Sequence, residues 1–168
     1  MSDPAGAPPE TTQRVRLLLD ASAVLAYGRS THVGETIVSL GDEAGFARFG
    51  ISPLALAAAW GRAGTATAAD LIVNLTRHPR YVALPVVEHH ALRATNPDLA
   101  PGESLQSPWN TWAHLPSPDQ THTVLLALDH ECLILTAVPE EYGMPGITVT
   151  IPEDGADWPD DASGFWPT

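Results

Sequence analysis

Lysine is missing from this chain altogether, and arginine supplies all eight of its basic residues. They are scattered at Arg14, Arg16, Arg29, Arg48, Arg62, Arg77, Arg80 and Arg93, and none lies beyond residue 93. Against them stand 20 acids, for a formal net charge of −12. Phosphate contacts dominate nucleic-acid affinity and need a basic stripe. Strong non-specific binding to DNA or RNA is therefore not expected; the charge also lowers a nuclease reading, although metal ions and a local groove would still let one work. The lysine-free, Ala-, Gly-, Pro- and Arg-rich composition fits a GC-rich bacterial genome.

Cysteine is almost as scarce. The single Cys132 excludes an intramolecular disulfide and suits a reducing compartment. It directly precedes an apolar run, so a buried structural thiol is expected there. No apolar run approaches the roughly 20 residues that span a bilayer, and the polar, Pro-rich residues 1–13 lack the apolar core of a signal peptide. A cytoplasmic protein without membrane contact is the expectation. No Gly-rich phosphate loop occurs, since Gly61-Arg62-Ala63-Gly64 lacks the required strand and helix context, and no Ser–His–Asp nucleophile motif can be read. Glu88, His89 and His90 do not form a zinc motif, because adjacent residues on a helix point about 100° apart.

What remains is a globular chain of 168 residues, 44% hydrophobic and 17% charged, long enough for one domain that buries about two-thirds of its unfolded surface. Residues 1–12 read as a disordered leader, 13–151 as the folded domain, and 152–168 as an acidic tail. The tail carries Glu153, Asp154, Asp157, Asp160 and Asp161 with Trp158, Phe165 and Trp166. It is read as solvated, with docking on a basic partner or folding back over a groove as alternatives. Strands are expected at about 14–19, 81–85, 133–136 and 147–151, with a very short strand and turn at Gly50-Ile51-Ser52-Pro53. Helices are expected at about 22–28, 34–43, 54–60 with a stop near Gly61 or Gly64, 66–77, 86–94 and 119–130. Alternating strands and helices imply a three-layer α/β/α sandwich around a mainly parallel sheet.

The most informative run is Leu17-Leu18-Leu19-Asp20-Ala21-Ser22-Ala23-Val24-Leu25-Ala26. It delivers one carboxylate, Asp20, to the carboxyl end of a strand, where open α/β sheets place their chemistry. Asp20 is thus a candidate metal-binding or catalytic acid, or else the cap of the following helix. His122 and Asp129, seven residues apart on one helix, are a weaker pair, with a satisfied or solvent-facing histidine as the simpler reading.

The order of elements and three motifs resemble the PIN-domain family, the small metal-dependent ribonucleases that include the VapC-like toxins of toxin–antitoxin pairs. The motifs are Leu18 to Ala26, Thr121 to Cys132, and Leu133-Ile134-Leu135-Thr136-Ala137. The resemblance implies three or four carboxylates holding one or two Mg²⁺ or Mn²⁺ ions, which activate water for attack on a phosphate. By that resemblance Asp20 holds the first acidic place and Ala58 the second. Gln120 holds the third, with Asp119 beside it, and Val138 the fourth. Thr136 is the strand-end residue that would orient a water or ligand.

Two readings follow. The first is a catalytically degenerate PIN-like pseudoenzyme with no required cofactor. It would bind a protein partner, either a small antitoxin-like DNA-binding regulator or a second copy of itself as a homodimer. The second is an Mg²⁺- or Mn²⁺-dependent endoribonuclease using Asp20 and Asp119, with Gln120 as a neutral ligand and Glu35, Asp42 or Glu43 adding a carboxylate. Nucleic-acid binding without cleavage is a third, non-enzymatic possibility, which strongly salt-dependent RNA retention would mark.

Overall fold

The computed structural model describes residues 14–44, 48–85, 117–143 and 146–155, with the side chains of residues 40–44 left aside. Five strands run in the order β1 (Val15–Leu19), β2 (Arg48–Ile51), β3 (Tyr81–Ala83), β4 (Leu133–Thr136) and β5 (Thr148–Thr150). Between and around them lie α1 (Ala21–Ala26), α2 (Thr31–Ala44), α3 (Pro53–Arg62), α4 (Ala66–Thr76), α5 (Pro118–His130) and α6 (Pro139–Tyr142). The strands form one sheet in the order β3-β2-β1-β4-β5, and every neighbouring pair is parallel. Helices cover both faces, giving the three-layer α/β/α sandwich that the alternating pattern implies.

Parallel strands buried on both faces read as continuous apolar runs rather than alternating ones, and β1 is such a run. Leu17 and Leu19 enter one core with Phe49, Ile51, Val24, Val33, Ile37 and Ile72 from β2, α1, α2 and α4. Val15 and Leu18 enter the opposite core with Val124, Leu125, Ile134 and Tyr142 from α5, β4 and α6. Val15 and Leu17 would share a face in a regular strand; the register shift between them sends them to opposite sides. Gly50 on β2 allows a close approach, since a Cβ there would lie 2.6 Å from Leu84 Cδ1 and 3.2 Å from Leu18 Cδ2.

Several boundaries differ from the sequence expectation. α2 begins at Thr31, so Gly34 lies inside the helix instead of opening it; burial of Val33 and Ile37 outweighs the roughly 1 kcal/mol propensity cost of an interior glycine. α3 runs through Gly61 to Arg62 and is capped at Ala63, ahead of Gly64 in the left-handed region at φ +70°, the later of the two stops expected for it. The short helix α6 was not anticipated. The expected leader at 1–12, the helix at 86–94 with Glu88, His89 and His90, the Trp109–Trp112 segment and the tail beyond residue 155 lie outside the described residues. Among the described residues no helix is long and apolar enough to cross a membrane.

The sheet order fixes where a site belongs. From β1 the chain steps to β2 and β3 on one side, then returns to place β4 and β5 on the other. The direction of winding reverses between β1 and β4, and in such sheets the crevice opens outside the carboxyl ends of those two strands.

Candidate functional site

Asp20 ends β1 and Thr136 ends β4, so both stand at that reversal point. The Asp20 backbone N–H extends the sheet ladder to the Leu135 carbonyl at 3.2 Å. Its φ and ψ of −80° and 177° are those of a helix cap, and its Oδ1 accepts the Ala23 N–H at 2.9 Å. The same oxygen accepts the Ser22 hydroxyl at 2.5 Å. Its other oxygen, Oδ2, accepts the Tyr142 hydroxyl of α6 at 2.7 Å. Asp20 is only 2% exposed and Tyr142 0%. Three of roughly four lone-pair sites on this carboxylate are therefore taken by the protein itself.

Proton counting extends the network to β4. Ser22 has one proton, which it gives to Asp20, and it accepts the Ala137 N–H at 2.9 Å. The 3.2 Å contact between Ser22 Oγ and Thr136 Oγ1 must then have Thr136 donating. Thr136 in turn accepts the Val138 N–H at 3.0 Å. The chain of donors Thr136, Ser22, Asp20 pins the β4–α6 turn to the start of α1. Burial, and then the charge of Asp20, raise the pKa of the Tyr142 hydroxyl, which stays a donor.

Around this knot lies a cleft of about 270 Å³, lined among others by Asp20, Arg62, Ser117, Asp119, Gln120 and Glu141. Asp119 occupies the first turn of α5, 7% exposed, where a carboxylate is favoured by the helix dipole; it makes no cap there. Gln120 is used at both ends: its Oε1 accepts the Ser117 hydroxyl at 2.9 Å, and its Nε2 donates to Glu141 Oε2 at 2.5 Å. Ala58 sits on α3 one turn before Arg62, so α3 brings a guanidinium to the cleft. Val138 lines the cleft as an apolar wall.

Of the residues singled out from sequence, Asp20, Asp119 and Gln120 line the cleft, and Thr136 joins it through Ser22. Glu35 does not: it lies on α2, 3.3 Å from His32, beside a separate hollow. Asp42 and Glu43 are on α2, outside the described side chains. Sequence reasoning missed Ser22, Arg62, Ser117, Glu141 and Tyr142. Pro139 just after a strand end is a helix-start signal that could have revealed α6 and its Glu141 and Tyr142. The carboxylates facing the cleft that could serve a cation are Asp119, Glu141 and the remaining lone pair of Asp20. Among the described residues no three His, Cys, Asp or Glu side chains are close enough to share one ion.

Two other features are structural. His122 and Asp129 part company, His122 fully buried and Asp129 exposed. Ser52, also fully buried, caps α3 by accepting the Leu54 and Ala55 N–H groups at 3.2 and 3.3 Å. Its own proton therefore goes to His122 Nδ1 at 2.6 Å, tying α3 to α5. Cys132 is buried, which pushes its thiol up to about 12. A scan against models of protein families matched none, and searches of curated proteins and of solved structures likewise returned no match.

Proposed function

We propose that this protein is a catalytically degenerate PIN-like domain that acts by binding a protein partner at the cleft beside Asp20. One observation carries the reading. The carboxylate of Asp20, the one acid in its expected place, is spent on Ala23, Ser22 and Tyr142, which makes it the keystone joining β1, α1 and α6. The other places support it. Ala58 and Val138 carry no ligand atom, Gln120 is bonded at both ends, and α3 brings the cation Arg62. A cleft holding Asp119 and Glu141 beside Arg62 suits a polypeptide that presents both charges. The net charge of −12 repels an RNA backbone. The partner class is a small DNA-binding regulator of antitoxin type, with a second copy of this chain as the alternative.

The location of three carboxylates, Asp20, Asp119 and Glu141, on one cleft favours a second reading, an Mg²⁺- or Mn²⁺-dependent ribonuclease of toxin type. Calorimetry with Mn²⁺ and incubation with a mixed RNA pool separate the two. The binding reading expects no cleavage beyond that of Asp20→Asn. Where a short reading frame for a DNA-binding protein lies immediately upstream, it also expects co-purification with that product, lost in Arg62→Glu. Mn²⁺ uptake that disappears in Asp20→Asn, together with RNA cleavage, would establish the ribonuclease instead.

A further inference from the structure

The Asp20 cleft holds more charge than the fold itself uses. Asp119 lines it from the first turn of α5 and is 7% exposed. Among the described residues no hydrogen bond or ion pair reaches its carboxylate. The helix dipole favours a negative charge there, but a carboxylate nine-tenths buried is costly unless a donor meets it. Nearly all buried polar groups in native proteins have partners, so one left open towards a cleft points to a donor from outside.

The neighbouring charges show which acceptor remains. Burial, and then the charges of Asp20, Asp119 and Glu141, raise the Tyr142 hydroxyl, so the three carboxylates gather around one end of the cleft. Asp20 already accepts from three protein donors, and Glu141 accepts from Gln120. Asp119 alone of the three has both oxygens open. Arg62, the last residue of α3, is exposed and lines the same cleft. Its guanidinium forms no ion pair with Asp20, Asp119 or Glu141. One cation standing beyond ion-pair distance of three carboxylates, in a cleft of about 270 Å³, leaves room for a ligand between them. Ala21 and Val138 add apolar wall.

We propose that the cleft binds a small zwitterion of the amino-acid class, its ammonium donating to Asp119 and its carboxylate accepting from the guanidinium of Arg62. The buried end takes the ammonium, whose donors suit an acceptor that has none. The wet rim takes the carboxylate, which an arginine can hold through two parallel bonds. The apolar wall faces the short carbon chain between the two charges. The inference stands on Asp119 and Arg62 and not on the partner reading; a zwitterion held there excludes a polypeptide from the same cleft.

Calorimetry on the full-length protein tests it, with L-valine and γ-aminobutyrate as zwitterions and isobutylamine and isovalerate as controls that carry one charge each. At least one zwitterion is expected to bind, about tenfold or more tightly than either control. Arg62→Gln, at an exposed position, is expected to weaken the zwitterion about tenfold and to leave any binding of isobutylamine unchanged. Asp119→Asn is expected to abolish binding with urea-derived stability equal to wild type or higher, because it removes an unpaired buried charge. A less stable Asp119→Asn would mark that carboxylate as structural and overturn the proposal. So would no uptake of either zwitterion up to about 10 mM, uptake that survives both substitutions, or isobutylamine bound as tightly as the zwitterions.

Discussion

Removing the carboxylate of Asp20 should damage the fold, and that outcome distinguishes a structural keystone from an acid held in reserve for chemistry. Asp20→Ala deletes a helix cap, worth about 1 kcal/mol. It also strands the hydroxyl of Tyr142, which is fully buried, at about 1–3 kcal/mol. Ser22 retains Thr136 as a neighbour and adds little. The expected loss is about 2–4 kcal/mol. Tyr142→Phe removes donor and hydroxyl together and leaves Asp20 two donors, so it should cost about 1.5 kcal/mol. In the Tyr142→Phe background, Asp20→Ala loses little more than the cap, because no hydroxyl remains to be stranded. The double-mutant cycle should therefore show a coupling of about 1–3 kcal/mol. Urea unfolding followed by far-UV circular dichroism measures all four corners. For a chain of this length each kcal/mol also moves Tm by about 2–4 °C. Replacing a residue kept only for function commonly leaves stability unchanged or raises it. An Asp20→Ala variant as stable as wild type, with no coupling to Tyr142→Phe, would refute the keystone reading.

Two further outcomes follow from buried groups. Ser52→Ala removes the cap of α3 and the donor to His122 Nδ1 at once, so it should lower the urea-derived stability by about 2–4 kcal/mol, whereas Ser52→Thr should restore most of it. The Cys132 thiol and the Tyr142 hydroxyl are both raised, chiefly by burial, so the folded state holds their protons more tightly than the unfolded chain does. Their contribution is complete below pH 9 and is lost as pH rises, from the thiol's ordinary 9.0 towards about 12 and, for Tyr142, from 10.0 upward. Stability should fall by up to about 1.4 kcal/mol per pH unit for each group. Urea midpoints from pH 7 to 11 should decline from about pH 9, and Cys132→Ala should delay the onset towards pH 10; a flat profile would contradict the assignment.

Much of the framework was legible in order along the chain. The apolar run before Asp20 marked a strand, which the sheet buries on both faces. The helices expected at about 54–60 and 119–130 match α3 and α5. Such signals are local, because period, cap and turn chemistry act within a few residues. The helix start at Gly34 was misjudged for the complementary reason. A glycine's propensity cost is about 1 kcal/mol, and a buried neighbour such as Val33 outweighs it.

The candidate site divides in the same way. By itself, the sequence determined that Asp20 stands at a strand end, that Ala58, Gln120 and Val138 lack a carboxylate, and that the chain carries a formal net charge of −12. Only the tertiary structure decided what Asp20 does there. Its partner Tyr142, and Thr136 that reaches it through Ser22, lie more than a hundred residues away in sequence and meet it because β1 and β4 are neighbours in the sheet. Arg62 and Glu141 reach one cleft from different helices, and Asp154 reaches α2 across the molecule. No spacing along the chain encodes such meetings, since they depend on which strands pair and on which side the chain returns.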